Sequence, residues 1–165
     1  MKKWLILVSL LALFSGCNSN VSNSLNGTNS VNRGVLSEGS SMEYKIIKQA
    51  DVPFDENEYM NGKEESLVFY SDKSEDVKKF NLEYKKLTGK EAPEFDGTMI
   101  VEKMGTKRSG GYAMEFAGLK DSGRYIDLTI KYIYPQKGSL VTEAFTNPYM
   151  IIYLPNNHKE VRVFH

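Results

Sequence analysis

From Thr98 onward, apolar residues recur at every second position in short runs broken by turn formers, and a chain with that period buries its apolar face only in a β-sheet. The cleanest run is Tyr125–Tyr134, with Ile126, Leu128, Ile130, Tyr132 and Tyr134 on one face and Asp127, Thr129 and Lys131 on the other. Thr98–Met104 and Tyr112–Leu119 precede it, and Asp121-Ser122-Gly123 closes a hairpin between the second and third runs. After the turn Pro135–Gly138, three further strands are predicted: Leu140–Phe145, Tyr149–Leu154 and Val161–Phe164. Upstream, Met42–Lys48 and Leu67–Tyr70 also read as strands, separated by a polar loop. One stretch has a different period. Val77, Phe80, Tyr84 and Leu87 fall at three- and four-residue spacing, which predicts an amphipathic helix over 74–88. Ser74 stands at the N-cap position, Glu75 and Asp76 suit the positive helix start, and Lys85, Lys86 and Gly89 suit the end. The expected fold is mainly β within the α+β class: an antiparallel β-sandwich or open barrel with one packed amphipathic helix.

That domain occupies 42–165, and the residues before it have a different composition. Lys2 and Lys3 lead into an uncharged apolar run, Trp4–Phe14, followed by Ser15-Gly16-Cys17; this is the layout of a secretory signal, and the run is too short to span a bilayer. Cys17 is the single cysteine of the chain, and Leu13-Phe14-Ser15-Gly16-Cys17 resembles the lipobox of bacterial lipoproteins, in which the cysteine is lipidated and cleavage falls before it. The resemblance implies a signal peptide over 1–16, palmitate or a similar acyl group on Cys17, and a mature protein held on the bacterial cell envelope with no thiol left for chemistry. Asn18 after the cysteine, in place of aspartate, points by the same resemblance to the outer rather than the inner membrane. Residues 18–41 alternate Asn with Ser, Gly and Thr, too little apolar surface to offset their ordering entropy, and they are expected to form a disordered tether with an r.m.s. span of about 27 Å. Without Lys2 and Lys3 the chain carries 19 basic and 21 acidic residues and no basic block, so nucleic acid is not an expected partner.

The search for catalytic chemistry returns little. His158 and His165 have no second ligand at metal spacing, no serine sits in a nucleophile elbow, and no Ser-x-x-Lys is present. No catalytic residue, metal site or cofactor is expected. The segment that departs from ordinary loop composition is Gly105-Thr106-Lys107-Arg108-Ser109-Gly110-Gly111-Tyr112, which joins two strands with three glycines and two cations. It has two readings. As a connecting turn, Gly110 and Gly111 supply positive φ and the cations are simply exposed. As a recognition loop, backbone amides approach a partner while side chains make contacts.

This loop, together with the later Gly138-x-x-Val141-Thr142-x-Ala144-x-Thr146-x-Pro148-Tyr149-x-Ile151-Ile152, resembles the C-terminal domain of the PrcB family over about 94–155. The family takes its name from a lipoprotein subunit of a surface protease complex. The resemblance implies a non-catalytic accessory domain that binds a protein, with a protease as one such partner. Lys107, Arg108, Ser109, Gly110, Gly111, Tyr112, Pro148 and Tyr149 are the candidate binding residues. Ser109–Tyr112 and Asn147-Pro148-Tyr149 are also distantly similar to the loops of chagasin-type cysteine-protease inhibitors, so an inhibitor or an envelope-stress lipoprotein is the alternative. If both motifs serve recognition, Tyr112 and Tyr149 should share one patch; if they serve folding, both should be buried with their hydroxyls paired. The expected result is split, with Tyr112 structural and Lys107 exposed.

Overall fold

A computed structural model describes residues 32–33, 42–52 and 62–165 of the chain. In order along the chain the elements are β1 (Asn32–Arg33), β2 (Glu43–Asp51), β3 (Glu65–Tyr70), α1 (Ser74–Thr88), β4 (Gly97–Lys103), β5 (Ala113–Asp121), β6 (Tyr125–Ile133), β7 (Pro148–Pro155) and β8 (Glu160–Phe164). The strands form a five-stranded sheet, β1-β2-β7-β4-β3, and a three-stranded sheet, β5-β6-β8. The export signal, Cys17 and most of the 18–41 run lie outside the described residues, as does 53–61 of the loop between β2 and β3. Within the run expected to be unstructured, Asn32–Arg33 pairs with Glu43–Tyr44 as a two-residue ladder.

The molecule has three layers, and the five-stranded sheet is the middle one. Its central strands β4 and β7 are buried on both faces, which is why their sequences run almost continuously apolar. One face, carrying Ile100, Met150, Ile152 and Leu154, packs on Met114, Leu119, Ile126, Leu128, Ile130 and Val161 of the smaller sheet. The other face, carrying Met99, Val101, Tyr149 and Ile151, packs on α1 through Phe80 and Leu87. Val77 and Tyr84 complete the helix face as half-buried residues, as the spacing predicts. Gly89 terminates the helix in the left-handed conformation, its N–H bonded to the Lys85 carbonyl at 2.8 Å. At the other end the N-cap position is Lys73, with no side-chain cap, and Ser74 is already helical. The Asp76 carboxylate instead accepts a hydrogen bond from the Tyr70 N–H, which ties the helix start to β3.

Among the described residues, a mainly β sandwich with one helix is therefore the observed architecture, with two differences of detail. Strand β8 pairs with β6 in parallel, reached by a crossover through β7, so the smaller sheet is mixed. Leu140–Phe145, expected as a strand, is an irregular strap. Both edges of β7 are already taken by β2 and β4, which leaves the strap no free ladder there to join.

Gly97 marks the tightest backbone approach in the middle sheet. It has φ +124°, and a Cβ there would sit 2.2 Å from the Leu154 carbonyl oxygen, an atom of the opposing ladder that cannot move alone. Gly97→Ala is expected to lose at least about 1–3 kcal/mol from backbone strain alone. It should appear as a lower urea midpoint at unchanged slope. An unchanged midpoint would show that β4 can separate from β7 at this point.

Candidate functional site

The registers place the ends of the strands at two poles. At one pole β4 ends beside the start of β7, with Lys103 opposite Tyr149, and β2 ends there too, with Asp51 opposite Pro148. Here the chain crosses between the sheets twice, through 104–112 from β4 to β5 and through 134–147 from β6 to β7. The two crossovers are bonded to each other. Lys107 and Thr146 exchange backbone hydrogen bonds of 2.8 and 3.0 Å, and the Gly110 N–H donates to the Thr142 carbonyl at 2.9 Å. The Thr146 hydroxyl donates to the Ser109 carbonyl at 3.0 Å, and the Met104 N–H donates to the Pro148 carbonyl at 3.0 Å. Thus the glycine loop and the Thr-x-Pro-Tyr segment meet in space, mostly through their backbones, with the Thr146 hydroxyl as a side-chain contact.

Gly111 has φ +87°, as a turn residue there should, and a Cβ on it would lie 2.9 Å from Pro135 Cβ and 3.2 Å from Val141 Cγ1. The glycine lets the second crossover lie directly on the first. The side chains divide between folding and surface. Lys107, expected to be exposed, is only 17 % exposed: its Nζ pairs with Glu64 at 2.8 Å and stands 5.7 Å from the Tyr112 ring centre. The bridge to Thr146 turns the lysine inward along the end of the sheet, where the segment after residue 61 supplies the carboxylate. Tyr112 is half-buried against the inter-sheet core and meets Tyr134 edge-on at 6.0 Å. Ser109 is half-buried, Gly110 is buried, and Arg108 is exposed with no ion pair among the described residues.

Pro148 and Tyr149 are buried at the start of β7. Tyr149 points to the helix side, where its hydroxyl donates to the Leu87 carbonyl at 3.2 Å, and burial raises the hydroxyl's pKa above its ordinary value. Tyr112 belongs to the inter-sheet core and Tyr149 to the helix core, so the two tyrosines do not form one patch. For Tyr149 the folding reading holds, with its hydroxyl paired inside.

Two features of this pole escaped the sequence reading. The strap exposes Tyr134 (58 %) and Leu140 (103 %), and Val141 beside them is partly exposed. Treating Leu140–Phe145 as a strand assigned Leu140 and Val141 to a sheet face, and extending the run from Tyr125 as far as Tyr134 did the same for Tyr134, whereas β6 ends at Ile133. The second is Glu102, completely buried on β4 facing the smaller sheet. It lies inside because β4 is covered on both faces, so either parity of the strand buries position 102. Among the described residues no cluster of three His, Cys, Asp or Glu side chains could hold a metal ion.

The arrangement is that of a small sandwich whose two crossovers are tied into one end, beside a cleft lined by Glu64, Glu65, Glu83, Lys103 and Asn147. Residues 98–155 match the family model described as PrcB C-terminal. The match starts in β4, ends in β7 and takes in both crossovers, so the segment similar to that family is the one in which the bonded pole is built. Among curated proteins and solved structures, none matches the chain.

Proposed function

We propose that this chain is a membrane-anchored lipoprotein of the bacterial envelope that acts as a non-catalytic accessory subunit by binding another protein. The observation that carries the reading is the PrcB C-terminal match over both crossovers. The family resemblance makes a surface protease complex the first partner class to test. Supporting it from the other end of the chain, Cys17 follows an uncharged apolar run that is too short to stay in a bilayer as an anchor, so acylation would supply the membrane attachment.

Cells grown with a clickable fatty-acid analogue should label the wild-type chain, while Cys17→Ala should lose the label and either leave the membrane or accumulate as precursor. Equal membrane retention of both forms with neither labelled would rule out the anchor. The binding half is tested by crosslinking intact cells and isolating the chain with its adducts. A reproducible stoichiometric protein adduct supports an accessory subunit, and recovery of the chain alone counts against it.

A further inference from the structure

The inference rests on the protein-binding reading above and names the surface and the chemistry it accepts. Leu140 is fully exposed, Tyr134 is more than half exposed, and Val141 lies against Gly111 with part of its side chain in solvent. Burying the exposed apolar side chains of a disordered loop against a partner carries an ordering cost. This strap is different, because it is held in place before anything binds. The Ser139 N–H donates to the Gln136 carbonyl at 3.0 Å, the Thr142 carbonyl accepts from Gly110, and Thr146 is bridged to Lys107. Two cations flank the apolar residues: Lys137 in the same turn and Arg108 on the facing crossover, neither of them ion-paired among the described residues. We propose that Tyr134, Leu140 and Val141, with Arg108 and Lys137 at their rim, dock into an apolar groove edged by carboxylates on a partner protein.

Two other occupants fit less well. Asn32–Arg33 pairs with the start of β2, whereas the strap lies at the pole where β2 ends, roughly 27 Å away along a nine-residue strand. The strap therefore lies at the opposite end of β2 from the point where Asn32–Arg33 joins the sheet. Two cations are also fewer than the four to eight that mark recognition of anionic headgroups. A second copy would meet this patch across a two-fold axis, which brings the two cations of one copy onto a patch with the same two cations, where Glu143 is the one carboxylate of the strap to answer them. Carboxylates on a different protein satisfy both cations and leave the apolar tip to be buried.

The test places a photo-crosslinking amino acid at position 140 of the full-length chain in its own envelope, with a control at Leu82, which is 72 % exposed on α1. The expected result is one protein adduct from position 140 and none from position 82. Charge reversal by Arg108→Glu with Lys137→Glu should cut the yield about tenfold, which corresponds to roughly 1.4 kcal/mol of binding. Arg108→Lys with Lys137→Arg should restore it, and the melting temperature should stay unchanged throughout. An adduct to lipid, to a second copy, or to a protein but insensitive to charge reversal overturns the proposal. So does an adduct from position 82 with none from 140, an outcome that leaves the accessory-subunit reading standing. Absence of adducts from position 140 also overturns the proposal, while the accessory-subunit reading stands or falls with the crosslinking of intact cells.

Discussion

Replacing Phe80 by alanine should cost about 3–5 kcal/mol, the usual toll for deleting a large aromatic side chain from a core that cannot close around the gap. Phe80 has no exposed surface, and it is ringed by Phe69, Tyr84 and Phe95 at centroid distances of 5.6, 5.6 and 5.2 Å. Those rings come from β3, from α1 itself and from the segment that leads into β4, so no single shift brings them together. Urea denaturation should show a lower midpoint with unchanged slope. Leu82→Ala, on the solvent side of the same helix, should fall within about 0.5 kcal/mol of wild type. A loss below about 1 kcal/mol for Phe80→Ala would mean that α1 is not packed on the sheet. The effect should also reach the bonded pole, because Tyr149 is tied to the Leu87 carbonyl at the end of α1 and stands next to Pro148, which holds the Met104 N–H.

How far the sequence carries the fold is clearest where one residue period has one solution. Tyr125–Tyr134 alternates cleanly because β6 lies between β5 and β8 with one face on the core, and Val77, Phe80, Tyr84 and Leu87 repeat at helical spacing because α1 buries a single stripe. Strands β4 and β7 are buried on both faces and so carry no alternation to say which residue faces which layer. Tyr149 shows the consequence: its neighbours in sequence do not reveal that register puts it with Val101 and Ile151 under the helix, away from Tyr112. The ion pair of Lys107 was equally hidden, since its partner Glu64 is 43 residues distant and no local pattern links them. The two motifs were legible as a pair, and both lie in the matched segment. Their contact through backbone atoms was not, because main-chain hydrogen bonds between irregular segments leave almost no mark on side-chain identity. The exposed strap was misassigned for a related reason. Leu140 and Val141 have strand-like composition, but whether a segment joins a ladder depends on a free edge, and β7 has none.

Glu102 should make the stability of the fold depend on pH in the direction opposite to an ordinary surface carboxylate. It is completely buried against the smaller sheet, where its Oε1 accepts a hydrogen bond from the Tyr132 hydroxyl at 2.5 Å. Its Oε2 has no hydrogen-bond partner among the described residues. Burial pushes its pKa above the ordinary value of 4.5; hydroxyls of Tyr132 and of Ser66, its cross-strand neighbour on β3, pull the other way, as does His165, while the nearby Glu64 charge adds to the rise. The His165 Nε2 stands 3.6 Å from Oε1, and its ring lies 4.6 Å from that of Tyr132. The Tyr132 hydroxyl is itself raised beyond the reach of titration by burial and by this carboxylate, so it serves as a fixed donor. A carboxyl whose pKa is higher folded than unfolded binds its proton more tightly in the folded state. Its contribution is then fully present below the unfolded pKa and is lost as pH rises through the folded one. Glu102→Gln carries no titrating proton, so its stability relative to wild type should climb from about pH 4.5 upward and level off above the folded pKa. Tyr132→Phe should lose about 1–3 kcal/mol by removing the donor and leaving the carboxyl unsatisfied. That loss should be larger where Glu102 is ionised, because a hydrogen bond to a charged acceptor is the stronger one. Urea midpoints for the three proteins between pH 4 and 8 decide the matter, with a carboxyl NMR titration of Glu102 as the direct check. A Glu102→Gln advantage that stays flat across that range would mean the carboxylate is solvated in the folded protein, and one that grows toward acid would mean that Tyr132, Ser66 and His165 outweigh burial and hold it ionised.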